Sequence, residues 1–374
     1  MKILILSCNT GEGHNSAAKA INHYFEKSGD ECVMADALAF VSPSVSKLVA
    51  SGHVFIYRHL PDMFDIVYKG AEVFAKKESS PHDSMIFKLL ALGAKDLFKY
   101  ITDGSFDKIV CFHPFAAQML TKVYRDHPEA RVPTYIIATD YTCSPGAGES
   151  KLDTYFIPHE SVTDEFVSRG VARAKIVPVG IPVSERFCDL PSREDARAFI
   201  GVPNDKNVIL LMSGSMGAGH VDKIAKKMAS SIDDDTMLIV VCGRNEHLYR
   251  DLSQLEGKYD NVRVLGFTDK ITQYMSAADI LVTKPGGLSS TEAACVRLPM
   301  VMIDAVAGCE TYNLKFFVDG GYAYSASNID ELVSLSVNLV HDKAELQRIR
   351  DKMAENFSAD TAYKIYKYIK EGQF

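Results

Sequence analysis

Ile280-Leu-Val-Thr-Lys-Pro-Gly-Gly-Leu-Ser-Ser-Thr-Glu-Ala293 is the stretch on which the fold turns. Its apolar and β-branched start predicts a buried strand over Ile280–Thr283. Pro285 and two glycines stop that strand, and the residues from Ser289 onward read as the start of a helix. A strand that passes through a glycine turn into a helix opens a βα unit, and the same pattern recurs outward in both directions. Val208–Met212 leads into Ser213-Gly-Ser-Met-Gly-Ala-Gly219, and Met300–Ile303 leads into Asp304-Ala-Val-Ala-Gly-Cys-Glu310-Thr-Tyr-Asn313. Near the start of the chain, Ile3–Ser7 leads into Cys8-Asn-Thr-Gly-Glu-Gly-His14 and a helix over Asn15–Lys27.

Short apolar runs alternating with helical stretches predict doubly wound parallel sheets. In the first half the strands fall near Ile3–Ser7, Cys32–Ala35, Lys108–Phe112, Thr134–Ala138, Thr154–Ile157 and Lys175–Val177. The second half starts over, near Val208–Met212, Met237–Val241, Val262–Leu265, Ile280–Thr283, Met300–Ile303 and Ala323–Tyr324. The reading is α/β, two Rossmann-like doubly wound domains in series, which implies a cleft. A length of 374 residues agrees, since domains of roughly 150–190 residues are the usual size. Pro178-Val-Gly-Ile-Pro-Val-Ser184 reads as the linker, and the domains are placed at 1–188 and 189–357. An insertion at about 42–103 has a helical period. It is rich in apolar and aromatic residues such as Phe55, Phe64, Tyr68 and Phe87, with Lys69, Lys76, Lys77 and Lys88 beside them. These residues either pack on the sheet or lie at a lipid headgroup boundary.

Composition narrows the function classes. Hydrophobic residues make up 47% and charged residues 24%, as in an ordinary globular protein, and a net charge of −7 offers no bulk attraction for nucleic acid. No apolar run approaches the roughly 18–20 residues of a membrane span, and no signal peptide is legible at the start, so a cytoplasmic protein is expected. Eight cysteines without a C-x-x-C pair argue for reduced thiols and against zinc.

The turns carry the chemistry. His14, after Gly13 at the start of the first helix, would stand at the carboxyl edge of the sheet, where open α/β sheets bind ligands and an imidazole can take a proton from a hydroxyl. The turn with Ser213, Gly214, Ser215 and Gly217 suits a phosphate, as does the turn with Gly286, Gly287, Ser289, Ser290 and Thr291, through backbone N–H groups and positive helix ends. Glu292, one turn in, suits a pair of ribose hydroxyls. Glu310 and Asn313, one turn apart, suit sugar hydroxyls, or Glu310 simply favours a helix N-terminus. Neither phosphate turn has the Gly-Lys-Ser/Thr of a Walker A loop.

The run of motifs resembles the monogalactosyldiacylglycerol synthase and processive diacylglycerol glucosyltransferase family, within glycosyltransferase family 28. The order is Gly11-x-Gly13-His14, Ser213-Gly-Ser-x-Gly-Ala218, Cys242-Gly-Arg-Asn245, Gly266-Phe-Thr268, Ala278-Asp279, Thr283-Lys-Pro-Gly-Gly-x-Ser-Ser-x-Glu-Ala293 and Gly308-x-Glu-x-x-Asn313. The resemblance covers essentially the whole chain. It implies a GT-B fold, with the two domains facing a central cleft and a closing segment, 358–374, that crosses back to the first domain. It implies an inverting, metal-independent transfer of a hexose from a UDP-sugar to diacylglycerol, with no cofactor, at the inner face of the cell membrane. By similarity His14 is the base and Glu292 the ribose acid. Glu310, counted with His14 as catalytic, holds the donor sugar with Asn313. Phe267 meets the uracil, Arg244 neighbours the diphosphate, and Asp140 and Tyr141 belong to the acceptor wall.

Two departures stand out. Cys309 replaces the Gln that usually precedes the sugar-binding Glu, leaving the choice of sugar open. Thr142-Cys-Ser-Pro-Gly146 replaces a His-x-x-Trp-like stretch in a chain without Trp, leaving the acceptor open. The rivals at this point are transfer to a polyprenyl-linked saccharide or a small molecule, a UDP-sugar 2-epimerase, and a non-catalytic nucleotide-sugar sensor.

Overall fold

The computed structural model describes residues 1–8, 12–44, 46, 85–212, 220–303 and 308–372. Most of the expected insertion (47–84), the turn bearing Ser213, Gly214, Ser215 and Gly217 (213–219), and 304–307 lie outside the described residues.

Among those residues the strands form two six-stranded sheets. The first contains β1 (Lys2–Ser7), β2 (Glu31–Asp36), β3 (Lys108–Cys111), β4 (Thr134–Ile137), β5 (Thr154–Ile157) and β6 (Ile176–Pro178), in the order β2-β1-β3-β4-β5-β6. The second contains β7 (Asn207–Met212), β8 (Thr236–Val241), β9 (Val262–Leu265), β10 (Ile280–Thr283), β11 (Met300–Ile303) and β12 (Ala323–Ala326), in the order β12-β11-β10-β7-β8-β9. Every pairing is parallel.

All the expected strands are present, and they differ from expectation only at their ends. Lys175 closes a short 3-10 turn, with its Nζ on the Leu152 carbonyl at 2.8 Å, so β6 begins one residue later. β6 ends on Pro178, which an edge strand tolerates because one side of it needs no ladder bond. β12, also an edge, runs on through exposed Tyr324 and Ser325, since polar residues do not end a half-solvated strand. The first helix spans Glu12–Lys27 rather than starting at Asn15. Glu12 in its first turn favours the helix dipole, and His14 thereby lies inside the helix.

The chain forms two compact units. One holds Met1–Ser184, Val306–Tyr312 and Asp360–Phe374; the other holds Glu185–Ala305 and Asn313–Ala359. The break falls earlier than Cys188 because Glu185–Phe187 is tied to the second unit, with Arg186 donating to the Asp269 carbonyl at 3.3 Å.

In the first unit β1 shows why a parallel strand reads as continuously apolar. Leu4 and Leu6 face one cluster with Leu97, Met119 and Leu120, while Ile3 and Ile5 face another with Ile21, Phe25, Ile365 and Ile369. Each such Leu or Ile contributes about 1.5–3 kcal/mol through removal from water. The second face is covered partly by helix Thr361–Glu371, from the far end of the chain. In the second unit Ile209 and Leu211 of β7 pack with Ile224, Met228, Leu332 and Leu346.

Gly180 fixes the seat of that last helix. Its φ is +104°, and a Cβ there would stand 2.8 Å from Thr361 Oγ1, the hydroxyl that donates to the Val179 carbonyl at 3.2 Å. Gly180→Ala therefore combines left-handed strain with a clash and is expected to destabilise the first unit by about 1–3 kcal/mol. An unmoved urea midpoint in that variant would contradict this seating.

Candidate active site

In a doubly wound sheet the turns part company where the strand order reverses, and ligands bind outside the carboxyl ends there. The chain leaves β1 for β2 and returns to β3 on the other side of β1; likewise it leaves β7 for β8 and β9, then returns to β10. The residues singled out in the sequence follow these strands.

In the first unit His14 sits in the first helical turn beyond β1, after Gly13. Its Nδ1 lies 2.7 Å from the hydroxyl of Thr139, a residue 7% exposed just past β4. The ring of His113, just past β3, meets His14 edge to face at 4.9 Å between centroids. His113 also caps helix Pro114–Asp126, its Nδ1 accepting from the Phe115 N–H at 3.1 Å, which puts its own ring proton on Nε2. Burial lowers the pKa of His14, against the opposing pull of the Asp140 charge and a hydrogen bond to the Phe112 backbone. The imidazole is thus held neutral at physiological pH, the state in which it accepts a proton. His14, Phe112, Pro114, Thr139 and Ser144 line a small pocket. Asp140 is half-buried beside it. Tyr141 is only 2% exposed, and the loop behind it is held by Thr142 donating to Glu165 at 2.7 Å.

In the second unit the turn after β10 is braced from behind. The side-chain amide of fully buried Asn313 donates to the Pro285 carbonyl at 3.1 Å, and the Gly286 N–H bonds the Lys284 carbonyl at 2.9 Å. Gly286 is the N-cap of helix Gly287–Cys295, with no side-chain cap, and the place where its Cβ would stand is open space. A helix start left so, with its first N–H groups uncapped, suits an anion. Ser289 is half-buried, and the hydroxyls of Thr283 and Ser290 are buried without a hydrogen-bond partner among the described residues. Thr291 spends its hydroxyl on the Gly287 carbonyl at 2.7 Å.

On the same helix burial pushes the Glu292 carboxyl up to about 7, opposed by the charge of Arg186. Past β8 and β9, the Arg244 guanidinium lies 5.2 Å over the ring of Phe267, which is 63% exposed. Glu310 is in the first turn of helix Cys309–Asp319, which also carries Asn313.

The sequence reading did not single out Thr139, His113 or Arg186 for roles of their own. The Thr139–His14 bond spans 125 residues and depends on β1, β3 and β4 lying side by side, which no local motif announces.

Comparison with known proteins adds relatives. Residues 14–183 match the family model described as monogalactosyldiacylglycerol (MGDG) synthase, and residues 192–357 match that described as glycosyl transferases group 1. The processive diacylglycerol β-glucosyltransferase of Bacillus pumilus (strain SAFR-032) is 27% identical over 94% of this chain and 90% of its own. The probable monogalactosyldiacylglycerol synthase of Glycine max is 26% identical over 97% of this chain and 70% of its own. The first half of the chain thus resembles MGDG synthases and the second half group 1 glycosyl transferases. The chain has the GT-B fold of MurG from Acinetobacter baumannii, at a TM-score of 0.66 and 14% identity over 99% of both chains.

The geometry assigns Thr139 the orientation of the His14 ring. Thr139→Val should slow glycosyl transfer on the order of 10–100-fold, the usual consequence of a misaimed reacting group. Thr139→Ser, which restores the hydroxyl, should recover most of the rate. Equal turnover in the Val and wild-type proteins would remove Thr139 from the site.

Proposed function

We propose that this glycosyltransferase moves a hexose from a UDP-sugar to the free hydroxyl of diacylglycerol, with inversion at the anomeric carbon. The observation that carries the proposal is the neutral, anchored imidazole of His14 at the carboxyl edge of the first sheet. The names of relatives matched over most of the chain supply the substrates. His14 removes the proton of the acceptor hydroxyl, and the oxygen attacks the anomeric carbon as UDP departs. The donor is held by Gly286, Gly287 and Ser289–Thr291 at the diphosphate, Glu292 at the ribose, Phe267 and Arg244 at the base and diphosphate, and Glu310 with Asn313 at the sugar. Thr291 contributes its backbone, and Asn313 shapes the turn. Uncapped N–H groups stabilise the leaving diphosphate in place of a metal ion.

No described helix is long and apolar enough to cross a membrane. In this proposal the protein is cytoplasmic and works peripherally at the inner face of the membrane. Leu89 and Leu92, 44% and 69% exposed beside the exposed lysines Lys88 and Lys95, support a lipid-facing edge.

The direct test incubates the protein with diacylglycerol vesicles and UDP-glucose, UDP-galactose or UDP-N-acetylglucosamine and weighs the lipids by mass spectrometry. A glycosylated diacylglycerol is expected; donor conversion in the absence of lipid, or none with any donor, would refute the proposal. His14→Ala should lose roughly 10²–10⁴-fold in rate, the typical worth of general-base assistance, with UDP affinity little changed.

Glu292 sets a pH dependence. A carboxyl titrating at about 7 is largely protonated in mild acid and ionised in mild base. A carboxylate accepts at both oxygens, so UDP binding should tighten from about pH 6 to pH 8. In Glu292→Gln calorimetry should find weaker binding and only the part of the rise that ionisation of the terminal phosphate of UDP causes in both proteins; equal affinity and an identical rise in the two would contradict the ribose role.

A further inference from the structure

A charge imbalance stands at the opposite edge of the second sheet. Asp279, 1% exposed, precedes β10, and its two oxygens have different surroundings. Oδ2 accepts from the Val208 N–H and from Arg197 Nη2, both at 2.9 Å. Arg197, itself 1% exposed, spends its remaining donors on the carbonyls of Ala277 (3.1 Å), Pro203 (3.0 Å), Asn204 (2.8 Å) and Lys206 (2.7 Å). That half of the site is a closed structural brace.

Oδ1, by contrast, is shared by three cations. Arg193 Nη2 donates to it, Arg350 Nη2 stands at 3.6 Å and Lys343 Nζ at 3.9 Å. Lys343 has further acceptors in Asn207 Oδ1 at 2.5 Å and the Val340 carbonyl at 3.1 Å. Among the described residues Arg193 and Arg350 have no acceptor besides Asp279, although each guanidinium carries five N–H donors. Four cations thus surround one carboxylate, a surplus of three positive charges. Burial, followed by mutual repulsion, lowers the pKa of Arg197, Arg350 and Lys343, and Asp279 is the one acid that offsets it at each.

The cluster is also accessible and lies at positive helix ends. Arg193 is 45% exposed, Lys343 59% and Arg350 24%. Arg193 is the first residue of helix Arg193–Ile200 and Lys343 the first of helix Lys343–Asn356. Of the acids next to these cations in sequence, Asp342 is occupied in capping its own helix through the Glu345 N–H, and Asp351 accepts from the Gln347 amide at 2.8 Å.

We propose that Arg193, Lys343 and Arg350 form a second anion site, at the amino edge of the second sheet, for a phosphate-type dianion. A tetrahedral oxyanion offers several oxygens to two guanidinium forks and an ammonium, and its two charges offset most of the surplus; a monoanionic carboxylate does neither. The glycine turns lie at the carboxyl ends of the same strands, so this site is separate from the donor site. The ligand is a free phosphate or a phosphomonoester headgroup, which share this chemistry.

The test uses the full chain saturated with UDP, so that the phosphate-binding turns are already filled, at constant ionic strength. Inorganic phosphate and sn-glycerol 3-phosphate are titrated by calorimetry, with melting temperature as a second readout. Saturable binding and a raised melting temperature are expected. Arg193→Gln and Arg350→Gln should each weaken binding about tenfold or more, as loss of a charge-assisted pair does. The double variant should abolish it while UDP affinity stays at the wild-type value, which also reports that the unit is folded. Tighter binding of glycerol 3-phosphate would assign a headgroup, and tighter binding of inorganic phosphate a free anion; both support the site. No phosphate binding to the wild-type protein, displacement of phosphate by UDP, or equal binding in the double variant would overturn it.

Discussion

A parallel strand that is hydrogen-bonded on both sides and covered on both faces leaves only its two ends for chemistry. This single constraint organises each unit. Leu4 and Leu6 against one layer, and Ile3 and Ile5 against another, seal β1 completely. His14, His113 and Thr139 meet because β1, β3 and β4 are neighbours whose carboxyl ends open on one edge. In the second unit β7 and β10 are neighbours in the same way, and the turn at Gly286 opens where the strand order reverses. The amino edge obeys a different rule: there Asp279 ties β7 to its surroundings and gathers cations.

Burial then tunes two titrating groups in opposite senses. Loss of water disfavours whichever form is charged, so it lowers the imidazole of His14 and raises the carboxyl of Glu292. The first shift keeps a base available in neutral solution. The second leaves a carboxyl poised where small changes decide its charge, and Arg186 is the nearby cation that pulls it toward ionisation.

How much of this was legible depended on range along the chain. The strands could be read because buried parallel strands are continuous apolar runs, and Ile280–Thr283 with its glycine turn set the pattern. The helix start at Glu12 was missed because Gly13 looks like a turn residue, yet the helix takes it up. Thr291 and Asn313 were read as groups for a ligand, and what the sequence did not show is that the Thr291 hydroxyl also bonds a carbonyl within its own helix and that Asn313 also supports the Pro285 carbonyl. Thr139 and the cations around Asp279 could not be found from motifs, since their partners come from elements far apart in sequence.

The helix Thr361–Glu371 gives the fold a direction in time. Ile365 and Ile369 complete the cover over Ile3 and Ile5, and Lys108 Nζ donates to the Ile369 carbonyl. The residues of β1 therefore wait for a helix made long after them before one face of their sheet is closed, although domains generally fold in the order of synthesis. Until that helix is made, the apolar face is open to chaperones, and a nascent chain that stalls short of Thr361 would carry the residues of the second unit and an unfinished first one.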